Sequence, residues 1–166
     1  RSTLFPYTTL FRSLAEIAVY PIEECSEIEK KLIDAAKSAT KRAYAPYSHF
    51  HVGAAVLLEN GEIVSGNNQE NAAYPSGLCA ERTTLFFANA AHPDQRIIAL
   101  AIAAFYKGKF TDDAITPCGA CRQVMLEAEN RFGLPIKVLM YSEKSVYVSD
   151  SVKALLPLSF GDEMLK

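Results

Sequence analysis

Cys79, Cys118 and Cys121 constrain this chain more than any other feature, because each stands where the surrounding pattern predicts a helix to begin. Cys79 opens Cys79-Ala80-Glu81-Arg82, at the head of a helical stretch that runs to Ala91 with apolar positions at Leu85, Phe86 and Ala90. Pro117-Cys118-Gly119-Ala120-Cys121 is a CxxC at the head of a second helix, predicted over residues 119–132, with Gly133 as its stop and Pro135 beyond. A helix N-terminus presents unpaired N–H groups and a partial positive charge, which favour thiolate over thiol. Thiolate is the form in which cysteine binds zinc. A fold that brings these two helix starts face to face can place three thiolates on one ion. Four cysteines in a chain of 166 residues do not read as a disulfide scaffold, so a reducing, cytoplasmic compartment is expected.

Around these two helices the chain alternates strand and helix signals. Pro21 is predicted to open a first helix, whose apolar positions Ile28, Leu32, Ala35, Ala36, Ala39 and Ala43 recur at three and four residues, and Pro46 ends it. Residues 50–58 read as a buried strand with Gly53 inside it. Asn60-Gly61 is a hairpin signal, and residues 62–65 form the returning strand. Residues 66–78 are polar, contain Pro75 and Gly77, and read as a loop. Residues 97–105 form a continuous apolar run, as expected of a central strand covered on both faces, with a loop over 107–116 after it. Residues 136–141 and 146–148 read as strands joined by Ser142-Glu143-Lys144-Ser145. That link is too short for a parallel crossover, so the last two strands should be antiparallel. A short helix is predicted around residues 152–155. The expectation is a two- or three-layer α/β domain with helices packed on a mixed sheet of five strands.

Charge and hydropathy narrow the partners. The net charge is -2, and the nearest approach to a basic cluster is Lys30, Lys31, Lys37, Lys41 and Arg42, spread along the first helix as a solvated face. A nucleic-acid partner is therefore not expected. The longest apolar stretch is strand-sized, so no membrane partner is expected either. The first thirteen residues contain Arg1-Ser2-Thr3-Leu4-Phe5, echoed backwards by Thr9-Leu10-Phe11-Arg12-Ser13. Translated adaptor or vector DNA explains such an inverted repeat more simply than folding does. The reading is therefore a foreign leader over residues 1–13 and a single domain over 22–166.

The three cysteines leave a question of ligand count. His49, His51, His92 and Cys25 are the other soft-metal candidates. His49 and His51 alternate with Phe50 and Val52 and should point away from the apolar side of their strand; Cys25 lies in an acidic lead-in. A zinc with three protein ligands keeps a position open for water, which marks a catalytic site, and zinc brings the pKa of such water towards neutrality. Glu81, two residues after Cys79, can approach the metal without ligating it, where a proton shuttle belongs. Arg82 can offset the excess charge of three thiolates by hydrogen bonding to sulfur. A CxxC alone also fits a redox pair or half of a structural zinc site. The joint pattern, Cys-x-Glu, a long spacer holding a buried strand, then Pro-Cys-x-x-Cys, matches the signature of zinc-dependent deaminases.

From about Ala35 to Leu155-Leu156-Pro157-Leu158-Ser159-Phe160 the chain resembles the cytidine deaminases of the small, homotetrameric type. The matching segments are Tyr44-Ala45-Pro46-Tyr47-Ser48-His49-Phe50-His51-Val52-Gly53-Ala54-Ala55, Asn68-Gln69-Glu70-Asn71-Ala72-Ala73-Tyr74, Cys79-Ala80-Glu81-Arg82 and Pro117-Cys118-Gly119-Ala120-Cys121-Arg122-Gln123. The resemblance implies a three-layer domain with the two cysteine-bearing helices side by side. It implies zinc on Cys79, Cys118 and Cys121, with Glu81 moving protons. It also implies that Asn68 and Glu70 hold the ribose hydroxyls, that Phe50 stacks on the pyrimidine, that Ala80 offers its backbone to the base, and that Tyr74 closes a neighbouring subunit's site. A carboxylate accepts well from a sugar hydroxyl and is a poor neighbour for phosphate, which favours a nucleoside over a nucleotide. The implied activity is that of a hydrolase acting on the C–N bond of a cyclic amidine. It converts free cytidine and deoxycytidine to uridine and deoxyuridine in pyrimidine salvage, with water attacking C4 and Glu81 protonating N3 and then the departing ammonia. A blasticidin-type deaminase shares much of this signature. A non-enzymatic zinc module would need a fourth protein ligand, and none is evident.

Overall fold

The computed structural model describes residues 14–165, apart from the side chains of residues 162 and 163; the leader expected over 1–13 lies outside the described residues. A sheet of seven strands forms the middle layer: β1 (Ala18–Tyr20), β2 (His51–Leu58), β3 (Ile63–Asn67), β4 (Ile97–Tyr106), β5 (Lys109–Phe110), β6 (Lys137–Tyr141) and β7 (Val146–Ser149). Its order is β1-β7-β6-β4-β2-β3, with β5 paired to β4. Among the strands of the described residues only β4 and β6 run parallel; β6 and β7 are antiparallel, as the short link between them required. Three helices cover the sheet: α1 (Glu27–Ala39), α2 (Ala80–Ala91) and α3 (Gly119–Phe132).

Alternation along the strands sorts side chains between two cores. Val56, Leu58, Leu100, Ile102, Val138 and Met140 face α2 and α3, where Leu85, Met125 and Leu126 complete one cluster. The intervening Ala55, Ala99, Ala101 and Leu139 face α1, where Leu32, Ile33 and Ala36 complete the other. The domain is therefore three-layered, with the period-two pattern of each strand deciding which helix it meets.

Several boundaries differ from the sequence expectation. The sheet has seven strands rather than five. β1 precedes residue 22 and pairs with β7 at the edge, Val19 opposite Tyr147. β5 falls inside the predicted 107–116 loop, where Lys107 (φ 51°) and Gly108 (φ 83°) make the tight reversal that returns Phe110 opposite Phe105. Pro21 does not open α1. It caps a short 3-10 turn over Ile22–Glu24, and α1 begins only after Ser26, which forms a capping box with Glu29. The segment Val152–Leu155 is a 3-10 turn rather than an α-helix.

Two of the described acids are buried, Glu81 and Glu129, and the second is structural. Glu129, on α3, is 3% exposed. Its carboxylate accepts from Ile136 N–H at 2.9 Å, Val152 N–H at 2.8 Å and the Ser151 hydroxyl at 2.7 Å. It thereby ties α3 to the start of β6 and to the C-terminal segment. Replacing Glu129 by Ala strands two buried N–H groups, and the expected loss is about 3 kcal/mol. A urea titration checks this: the midpoint falls while the slope stays unchanged.

Candidate metal centre and substrate cleft

Cys79 is the N-cap of α2 and Cys118 the N-cap of α3, while Cys121 sits one turn into α3. The two helices pack side by side through Leu85, Ala88, Met125 and Leu126, so their N-termini open at the same end of the layer. The Cys79 and Cys118 sulfurs are 4.0 Å apart and those of Cys118 and Cys121 are 3.5 Å apart. All three ligand atoms lie within 4.8 Å of one another. Tetrahedral zinc with Zn–S bonds of about 2.3 Å requires sulfur–sulfur separations of about 3.8 Å. The observed pair distances straddle that value, so the donor set fits the ion. Among the described residues no other His, Cys, Asp or Glu joins the cluster. His92 instead faces Glu62 at 3.6 Å.

Electrostatics at the cluster favour an anionic sulfur. A hydrogen bond from the Cys121 thiol pulls Cys79 down to about 5, and Arg82 and Cys118 add to the effect against the cost of burial. Arg82 Nη2 donates to the Cys79 sulfur at 3.8 Å. Glu81 is 5% exposed. Its burial, reinforced by the charge of Cys79, raises its pKa against opposing hydrogen bonds from its own backbone and from Cys121. A carboxyl that holds its proton more tightly than an ordinary one is suited to proton transfer.

A cleft of about 630 Å³ opens beside these groups. Cys79, Ala80, Glu81, Arg82 and Cys118 line it together with Ser48, Asn68, Glu70 and Tyr74. Asn68 Nδ2 donates to the Phe50 carbonyl and Asn68 Oδ1 accepts from Val52 N–H, both at 2.9 Å. This pins the end of β3 to the start of β2. Tyr74 is 79% exposed and meets Tyr47 edge-on at 6.4 Å between ring centroids. Phe50 is not among the residues lining the cleft; its ring packs on Tyr106 at 5.5 Å. The structure thus gathers Asn68, Glu70, Tyr74, Ala80, Glu81, Arg82, Cys79 and Cys118 at one cleft, with Cys121 buried behind them. Val52, Ile115 and Thr116 also line it. No pattern in the sequence singles these three out.

The chain matches the family described as "Cytidine and deoxycytidylate deaminase zinc-binding region" over residues 26–132. It is 41% identical over 136 residues to a protein named cytidine deaminase from Sporosarcina psychrophila, covering 82% of this chain and 93% of that one. The crystal structure of a cytidine deaminase from Burkholderia pseudomallei superposes with a TM-score of 0.67 at 42% identity, covering 78% of this chain and 97% of that one. A cytidine deaminase structure from Mycobacterium tuberculosis gives 0.63 at 33% identity, covering 80% and 97%.

Proposed function

The chain belongs to the cytidine and deoxycytidylate deaminase family, and on that premise we propose that it hydrolyses the amino group of free cytidine and deoxycytidine with zinc held by Cys79, Cys118 and Cys121. One observation carries the reading. Three thiols at two helix N-termini converge beside a buried carboxyl, Glu81, at the wall of an open cleft.

When bound, zinc supplies a Lewis acid that makes water acidic enough to yield a nucleophile at neutral pH. The other roles fall to side chains of this chain. Glu81 accepts a proton from the attacking water and delivers it to N3 of the pyrimidine as C4 becomes tetrahedral; it then takes the remaining proton of the new C4 hydroxyl and hands it to the amino group, which leaves as ammonia. Arg82 steadies the Cys79 thiolate. The backbone of Ala80, which lines the cleft, would meet the base. Asn68 and Glu70 take the sugar hydroxyls. Glu70 repels a 5′-phosphate, which directs the site to nucleosides. Phe50 contributes through its backbone, whose carbonyl orients Asn68. Tyr74, exposed at the cleft, would close the site of a neighbouring subunit in a homotetramer. The reading places the enzyme in the cytoplasm, in pyrimidine salvage; that all four cysteines are free is compatible with a reducing compartment.

A structural zinc module would close its coordination with a fourth protein ligand, and the described residues bring none to the cluster. The antiparallel β6–β7 pair also supports a nucleoside enzyme over the nucleic-acid deaminases, which resemble a parallel arrangement there.

Ultraviolet absorbance of cytidine incubated with the purified protein tests the reading, with a zinc-stripped sample alongside. The expected result is conversion to uridine, lost on stripping and regained on adding zinc. A folded, zinc-loaded protein that leaves cytidine unchanged would falsify the cytidine assignment and direct attention to blasticidin-like substrates.

A further inference from the structure

The loop between α1 and β2 reverses at His49, whose φ of 54° is in the left-handed region that side chains rarely adopt. The reversal folds the Ser48 hydroxyl back over the chain, where it accepts from Phe50 N–H at 3.0 Å. The same hydroxyl donates to Glu70 Oε1. Glu70 Oε2 accepts from Tyr47 N–H at 2.9 Å and Ser48 N–H at 3.3 Å. Residues 22 and 23 positions apart in sequence thus hold one carboxylate from three sides. A carboxylate offers about four lone-pair positions, so one remains for a ligand.

We infer that Ser48 is a positioning residue: its hydroxyl fixes the Glu70 carboxylate at the sugar-binding side of the cleft and couples that carboxylate to the backbone of Phe50. The inference rests on the proposed role of Glu70 as the acceptor of a sugar hydroxyl. Two further observations support it. Ser48 and Glu70 both line the cleft. The Ser48 hydroxyl is also the largest influence holding the Glu70 carboxyl below its ordinary range, ahead of the Tyr47 N–H. Asn68 grips the other backbone group of Phe50, its carbonyl. Both proposed sugar ligands are therefore indexed to one residue at the start of β2.

The test compares Ser48→Ala, Ser48→Thr and Glu70→Ala by kinetics on cytidine and by carbon-13 titration of the Glu70 carboxyl. Removing the hydroxyl is expected to raise KM by about tenfold with kcat changed by less than about twofold, because an interaction equal in ground and transition states has been lost. Ser48→Thr, which keeps the hydroxyl, restores KM. In the Glu70→Ala background, Ser48→Ala adds little, since the group it positions is gone. The Glu70 carboxyl titrates at higher pH in Ser48→Ala than in the parent. An unchanged KM, a fully additive double variant or an unmoved Glu70 titration overturns the inference. A parent that does not turn over cytidine instead refutes the functional reading, and the carbon-13 titration still decides whether Ser48 holds Glu70.

Discussion

Replacing Glu81 by Gln lowers turnover of cytidine by about a thousandfold while the protein keeps its fold and its zinc. The expectation follows from three features of the site. Glu81 is not in the cysteine cluster, so its loss removes no metal ligand. Gln preserves its size, so the buried pocket beside Cys79 is not emptied. What disappears is the carboxyl proposed to take and give the proton. Burial is what prepares it: desolvation raises the carboxyl's pKa, which favours the protonated form that must hand a proton to the base. Metal content by absorption spectrometry, a thermal melt and single-turnover kinetics separate the possibilities. Zinc retained with turnover lost is the expected pattern. Turnover retained sinks the shuttle role, and zinc lost with turnover shows that Glu81 supports the metal site instead.

This centre was legible in the sequence because its determinants are local. A thiol at an N-cap and a carboxyl two residues later are fixed by one turn of helix, and α3 occupies the predicted residues 119–132, with Gly133 in the left-handed conformation that stops it. The start of α1 was legible too. Ser26 and Glu29 spell a capping box, a stronger start signal than the Pro21 on which the prediction rested. The remainder depends on contacts distant in sequence. β1 is three residues at a sheet edge and is specified by β7, more than a hundred residues later. β5 is two residues held by β4. Glu129 looks like any acid on an exposed helix face until Ile136 and Val152 supply its donors. Glu70 carries no sign in the sequence that Tyr47 and Ser48 enclose it. Phe50 shows the converse. Its motif is intact, yet within a single chain its ring lies on Tyr106.

Gly53→Ala costs about 3 kcal/mol or more, a large part of what a domain of this size has to spare. A Cβ built on Gly53 would lie 2.0 Å from the Ala36 carbonyl oxygen and 2.8 Å from Thr40 N. Both are backbone atoms at the end of α1, so no rotamer change relieves the clash. Nor can β2 slide away, because Gly53 is paired on both sides, with Asn67 of β3 and Ala103 of β4. The layer facing α1 is built for this approach: Gly53, Ala55, Ala99, Ala101 and Ala103 present almost no side chain, and α1 answers with Ala36 and Ala39. The opposite face carries the bulk, in Val56, Leu58, Leu100 and Ile102. Gly119→Ala is the comparison, since its added methyl meets nothing within 4 Å and its φ is ordinary. In a helix that change should be neutral or gain about 0.5 kcal/mol. Urea midpoints of the two variants should therefore move in opposite directions or differ widely. A Gly53→Ala midpoint equal to that of the parent would show that α1 does not press on β2 as described. The effect should also reach the cleft, because Val52, next to Gly53, lines it and hangs from Asn68 by its N–H. A strand pushed off α1 therefore carries the Asn68 side of the cleft with it.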